Sequence, residues 1–375
     1  MAGPLTGLRV IEMAGIGPCP LAGQLMGDLG ADVVVVDRKA GRDDPTDINR
    51  RSKRSIALDL KQPEAVDALL RLIEGADILI EGFRPGVMER LGLGPQVCHD
   101  RNGGLIYGRM TGWGQAGPLA LTAGHDINYL SITGMLHAIG LKDRPPVPPL
   151  NLAADYAGGT MFLIFGVLAA LYERARSGRG QVVDVAMSDC APALMGLVQA
   201  MAARGQWREE RQSNLLDGGA PFYRCYETLD GKYVSLGALE PQFFAVFCDL
   251  AGLAEVDKQS QYDRASWADK HVRYEALFRT RTREQWMAVF EGSDACVAPV
   301  LSAGEAPDHP HNRARSVFDA PDGVLQTLPA PRFSRTPGAV NGAPAQAGGD
   351  GEAILEAAGF SAVEIAALKA AGTVG

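Results

Sequence analysis

The chain has 375 residues, 46% of them hydrophobic and 21% charged, with a formal net charge of −8. That balance belongs to a globular chain long enough for two domains, and its acidity argues against nucleic acid as the main partner. The cysteines (Cys19, Cys98, Cys190, Cys225, Cys248 and Cys296) include no CxxC pair, and no histidine lies at zinc-finger spacing, so reduced thiols, no metal and a cytoplasmic location are expected.

LRVIEMA (8–14) is an apolar, β-branched run of the kind that forms a buried parallel strand. A helix is expected over 20–31, where Leu21, Leu25 and Leu29 recur at helical spacing and Gly30 can end it. DVVVVDR (32–38) reads as a second buried strand, residues 60–76 as an amphipathic helix, DILIEGF (77–83) as a third strand and LIYGRMTGWG (105–114) as a fourth. This alternation predicts an open parallel, Rossmann-like α/β sheet. PPVPPL (145–150) reads as an extended connector. The apolar run 161–171 is too short to span a bilayer and falls inside a long buried helix; QVVDVAM (181–187) follows as another strand. From about residue 220, FYRCYETLDGKYVSLGAL predicts a β-hairpin turning at Asp230-Gly231, with helical segments to about 292. The expected layout is a large α/β domain over 1–215, a smaller α+β domain over 216–325, and a C-terminal segment, 326–375, returning to the large domain. No charged-then-apolar signal pattern opens the chain.

The loop after the first strand only partly fits the dinucleotide fingerprint. Gly15 and Gly17 match, but Pro20 stands where the third glycine belongs, and Pro18 and Pro20 lack backbone donors. NAD is therefore disfavoured. The second strand ends Asp37-Arg38; an acidic residue suits a bare ribose, whereas Arg suits a ribose phosphate of the kind coenzyme A carries. Arg50, Arg51, Lys53, Arg54, Arg84 and Arg90 add basic charge. A solvated face is the ordinary reading of such a run, but Arg84 sits in EGFRPG at a strand end, where open sheets bind ligands.

VVVVDR, RSKRSIALDLKQPEA, EGFRPGVMERLGLGP and LIYGRMTGWGQAGP together resemble the family III CoA-transferase superfamily. GHDINYL (124–130), NLAADYAGG (151–159), LLDGGAPFYRCY (215–226), LGALEPQFF (236–244) and DACVAPVL (294–301) are similar to its α-methylacyl-CoA racemase branch. The resemblance runs from residue 8 to about 335. It implies a ligand that is a CoA thioester, held by Arg38, Leu58, Gly82, Phe83, Arg84, Arg90, Gly124 and Tyr129, with no cofactor beyond the CoA of the substrate. It also implies an isomerase that interconverts (2R)- and (2S)-2-methylacyl-CoA by two-base proton transfer through an enolate. The same resemblance implies an interlocked homodimer, with the active site between the large domain of one subunit and the small domain of the other.

Four residues would carry the chemistry. His125, taken alone, is a structural hydrogen-bonder; it precedes a short helix starting near Asp126, and a helix N-terminus disfavours imidazolium. In its GHDINY context it matches the racemase histidine. Asp155, taken alone, is an N-terminal helix carboxylate, and the resemblance assigns it as the opposite base. A helix start lowers a carboxylate pKa where acid catalysis wants it raised, so a dry acyl pocket would have to supply the rise. Tyr156, Gly158 and Gly159 are expected to let the thioester approach the backbone. Glu240 precedes Pro241, suited to the first helical position; by resemblance it partners His125 across a subunit interface. Asp126 is expected to orient His125 or bind substrate. Backbone N–H groups at 125–128 or 155–158 could hold the enolate. Met187, Met195 and Met201 read first as core packing, and alternatively as an adaptable acyl surface. A CoA-transferase with Asp155 as nucleophile is the alternative function, discriminated by His125; a non-catalytic CoA-binding protein is the third.

Overall fold

The computed structural model describes residues 3–38 and 44–375. The chain divides into two units, one made of Met1–Thr133, Pro149–Leu194 and Ser316–Gly375, the other of Gly134–Pro148 and Met195–Arg315.

In the first unit, β1 (Arg9–Met13), β2 (Asp32–Asp37), β3 (Lys53–Ala57), β4 (Ile78–Glu81), β5 (Ile106–Thr111) and β6 (Gln181–Ala186) form a six-stranded sheet in the order β3-β2-β1-β4-β5-β6. Every neighbouring pair is parallel. The apolar runs of β1 and β2 are buried on both faces, as parallel sheets require. Helices α1 (Pro18–Asp28), α2 (Pro63–Glu74), α3 (Val87–Arg90), α4 (Pro95–Arg101) and α5 (Asp126–Ser131) connect or flank the strands. Chain order reverses between β1 and β4, so a crevice opens at their C-terminal ends.

β3 was read only as a basic run, and its charges are why. Each cation turns inward onto a carboxylate: Lys53 to Glu12 at 2.6 Å, Arg51 to Asp28 at 2.6 Å, Arg50 to Asp37 at 2.6 Å and Arg54 to Asp32 at 2.7 Å. The run is neither a solvated face nor a phosphate patch; it ties β3 to α1, β1 and β2. Beyond β3 the C-terminal segment covers the sheet edge. Asp350 accepts the Ser55 N–H at 2.9 Å, Leu58 bridges Val374, and the helices Gly351–Ala357 and Ala362–Ala370 place Ile354, Leu355 and Ile365 in the core.

The expected long helix begins with a π-helical segment, Leu152–Met161, and continues as an α-helix through Phe162–Ser177. By length and composition these 26 residues could cross a bilayer. The inner face instead packs on the sheet: Leu163 lies against Gly108 of β5 and Gly166 against Val183 of β6, approaches that a Cβ on either glycine would block. Among its residues Leu163, Val167 and Ala170 are buried.

The second unit is built on an antiparallel sheet, β7 (Tyr223–Glu227), β8 (Tyr233–Gly237) and β9 (Val297–Val300), in the order β7-β8-β9. The hairpin turns where expected, with Gly231 at φ +70°. Strand β9 was not anticipated. Phe222, Tyr226, Phe244, Phe247, Tyr274, Phe278 and Trp286 form its core. The unit boundaries fall at 134–148, 195 and 315 rather than at the expected 215 and 325. The reason lies in backbone ties that composition does not display. Arg211 donates to the carbonyls of His137, Leu141 and Arg144, and Lys142 N–H donates to Gln212, which bind 134–148 to the segment around 210.

Candidate active site

The crevice holds a cavity of about 540 Å³. Its wall is assembled from strand ends: Ile16–Cys19 after β1, Gly82–Pro85 after β4 and Met110–Trp113 around the end of β5, closed by Gly124, His125 and Tyr129, by Asp155 and Tyr156, and by Met187.

The β1–α1 loop explains its odd glycine pattern here. Gly17 sits at φ +74°, ψ −121°, a region essentially confined to glycine, and Pro18 starts α1. A Cβ on Gly17 would lie 3.6 Å from Asp155 Oδ2. The loop backbone thus lies against the Asp155 carboxylate. The π-helix that carries Asp155 presses onto this loop: Thr160 Oγ1 donates to the Pro18 carbonyl at 2.9 Å, and a Cβ on Gly159 would be 3.2 Å from Pro18. Gly158 is equally close to Ala191. Both glycines are buried, so they admit neighbouring helices rather than a thioester, which corrects the expectation above.

Asp155 is half-buried, and its carboxyl is pushed up from the usual aspartate value, first by burial and then by the Asp126 charge. A hydrogen bond from Asn151 and the proximity of His125 oppose the shift. The dry wall therefore prevails over the helix start, the direction that acid–base exchange near neutrality needs.

His125 is exposed and forms the N-cap of α5 in an extended conformation. Its own N–H donates to Asn128 Oδ1 at 3.1 Å. Asp126, only 5% exposed, does not hold the imidazole. Its Oδ2 accepts the backbone N–H groups of Ala154 at 2.7 Å and Asp155 at 2.9 Å, while Oδ1 is buried without a partner. The residue beside one candidate base thus grips the backbone of the other.

Of the residues expected to bind CoA, Gly82, Phe83, Arg84, Gly124 and Tyr129 line the cavity. Arg38 and Arg90 are exposed and lie outside its lining. Leu58 is placed elsewhere: its side chain belongs to the core and its N–H donates to the Asp37 carbonyl at 3.0 Å. Asp37 itself is occupied by Arg50 and Ser55. Glu240 belongs to the second unit, as the N-cap of the helix Pro241–Ala251. There it raises the pKa of the nearby exposed Cys296 thiol, after burial. Met187 lines the cavity, whereas Met195 and Met201 belong to the second unit.

Two groups were missed. Glu81, fully buried at the end of β4, accepts the Phe83 N–H at 2.8 Å and Arg109 Nε at 2.9 Å. Arg109 continues to Glu89 of α3 at 2.7 Å. This chain of charges fixes the Gly82–Pro85 loop that offers Arg84. Its sequence signal was a charged residue inside each of two otherwise apolar strands.

Residues 5–351 match CoA-transferase family III. The chain is 44% identical over 334 residues to an alpha-methylacyl-CoA racemase of Mus musculus, covering 89% of this chain and 87% of that one. It is 40% identical to the Homo sapiens alpha-methylacyl-CoA racemase over 375 residues, covering 97% and 96% of the two chains. A CaiB/BaiF family protein from Brucella suis has a similar crystal structure, with a TM-score of 0.81 at 26% identity over 96% of this chain and 100% of that one.

Proposed function

The chain belongs to CoA-transferase family III, and on that premise we propose that it is an isomerase inverting C2 of 2-methylacyl-CoA thioesters. The observation that carries this is the placement of His125 and Asp155, on separate elements, in the wall of one cavity at the sheet's switch point.

The proton beside a thioester carbonyl is weakly acidic, so the base must be placed and the enolate oxygen stabilised. His125 removes the proton from one face and the Asp155 carboxyl returns one to the other; in reverse the roles exchange. The amides of residues 154 and 155 are taken by Asp126. The first amides of α5, those of Asp126 and Ile127, receive the enolate oxygen, since a helix start leaves its N–H groups without intrahelical partners. Arg84 meets the anionic end of CoA, with Arg38 and Arg90 further out, and Ile16, Trp113 and Met187 give the acyl chain an apolar wall. No cofactor is needed beyond the CoA that the substrate carries. The enzyme works in the cytoplasm as a homodimer in which Glu240 of a second copy completes the site beside His125.

A second reading makes Asp155 the nucleophile of a CoA-transferase, since it lines the cavity; His125 in the same wall has no task in that chemistry. Incubation of one epimer of 2-methylacyl-CoA in D₂O with acetate separates the two. Loss of optical purity with deuterium at C2 supports the isomerase. CoA passing to acetate with C2 untouched overturns it.

A further inference from the structure

Tyr129, expected as a CoA contact, has its polar atoms turned the other way. It is 9% exposed. Its hydroxyl donates to the Gly124 carbonyl, and its backbone N–H donates to the His125 carbonyl at 3.1 Å. One residue therefore grips two consecutive carbonyls, on either side of the His125 Cα. The neighbouring Asn128 completes the hold: its Oδ1 accepts the His125 N–H at 3.1 Å, and its own N–H donates to the His125 carbonyl at 2.8 Å.

The grip is keyed to the sheet. The Tyr129 ring meets Trp113 edge-on, with centroids 4.9 Å apart. It fills the space left by two missing side chains: a Cβ on Gly112 would lie 2.0 Å from the ring and one on Gly124 2.7 Å from it. Gly112 directly follows β5, so the position of His125 is registered to the strand end through the tyrosine ring. Burial, with Asp155 nearby, pushes the phenol pKa up, so the hydroxyl stays a donor across the working pH range.

We infer that Tyr129 and Asn128 are positioning residues for His125, holding residues 124–125 in the extended conformation that points the imidazole at the substrate, and that Tyr129 does not itself bind CoA. The inference rests on the two-base reading above. Its consequence is asymmetric. A loosened His125 slows inversion, because both directions of inversion need both bases. Removal of the α-proton by Asp155 from its own epimer needs only Asp155. That epimer can still exchange its α-hydrogen through the enolate without inverting.

The test uses Tyr129→Phe, which keeps the ring in its slot and removes only the hydroxyl, with Asn128→Ala on the exposed side of α5 as the companion variant. Inversion and α-hydrogen exchange are followed in D₂O for each epimer separately. We expect inversion to fall about tenfold in both directions, as a slackened near-attack geometry does. KM for acyl-CoA should stay within about twofold, because no ligand contact is lost. The ratio of exchange to inversion should rise for the epimer that Asp155 deprotonates. A ratio unchanged for both epimers, or a KM that rises while kcat is kept, overturns the inference. The wild-type enzyme run alongside keeps the two ideas apart: if it inverts no epimer, the failure lies in the two-base reading and not in the role of Tyr129.

Discussion

Asp126→Ala is expected to damage catalysis through Asp155 rather than through its sequence neighbour His125. The carboxylate is buried and receives two backbone N–H groups, those of Ala154 and Asp155. Hydrogen bonds to a charged acceptor contribute about 1.5–3 kcal/mol each, and removing the acceptor leaves the Ala154 and Asp155 amides without partners. The two bonds share one oxygen and are not additive, so a loss of about 3 kcal/mol in stability is expected. The same bonds fix the first turn of the π-helix, and a displacement of about 1 Å at a catalytic group costs on the order of 100-fold in rate. Asp126→Asn keeps the acceptor and should retain kcat within about tenfold. It also removes a charge that raises the Asp155 pKa. In the direction where Asp155 acts as base, activity is lost as pH falls through its pKa, so the acidic limb of the kcat profile should move to lower pH in Asp126→Asn. Urea unfolding and pH–rate profiles of the two variants measure both effects. An Asp126→Ala enzyme as active as the parent, or an Asp126→Asn profile shifted upward, would mean that Asp126 does not act through Asp155.

Other outcomes follow from the same geometry. Lys53→Met leaves Glu12 charged and unpaired in the central strand, and should cost about 3–5 kcal/mol in denaturant unfolding; Lys53→Met with Glu12→Gln should recover most of it. Burial pushes Glu12 up to about 6 from its ordinary 4.5. Between those values the folded state holds a proton that the unfolded state has lost, so Glu12 contributes most below 4.5 and that contribution is lost as pH rises through about 6. A stability profile of Glu12→Gln that parallels the parent across that window would contradict this. Gly17→Ala forces a side chain into a glycine-only conformation beside Asp155 and should cost about 1–3 kcal/mol with a larger fall in kcat than in thermal stability. Glu81→Ala frees the Phe83 N–H and Arg109 together, and should raise KM for acyl-CoA more than it lowers kcat; the reverse pattern would place Glu81 in the chemistry rather than beneath the ligand loop.

The parts of the fold that were legible in sequence are those whose pattern has one use. LRVIEMA and DVVVVDR are too apolar and too β-branched to be anything but strands buried on both faces, and they form the centre of the sheet. Strand β3 was hidden because it opens on two adjacent charges, Lys53 and Arg54, and the carboxylates that neutralise Arg51, Lys53 and Arg54 lie 22 to 41 residues earlier in the chain. His125 and Asp155 were legible through motif resemblance, and the cavity brings both to its wall. Their mutual link was not legible, since Asp126 acts on backbone amides 28 and 29 residues away and main-chain groups carry no residue identity. The same limit misdirected Gly158 and Gly159 toward the ligand, whereas packing against Ala191 and Pro18 engages them.

In the proposed reaction two bases act on opposite faces of C2. It is tested most directly by the deuterium content of recovered substrate and product during the first few per cent of turnover of one epimer in D₂O. Two separate bases should give inverted product carrying solvent deuterium at C2 while the remaining substrate keeps its hydrogen, with His125→Ala and Asp155→Asn each abolishing inversion. Inverted product that retains the substrate's own hydrogen would mean a single base reaching both faces, and would rule out two-base inversion.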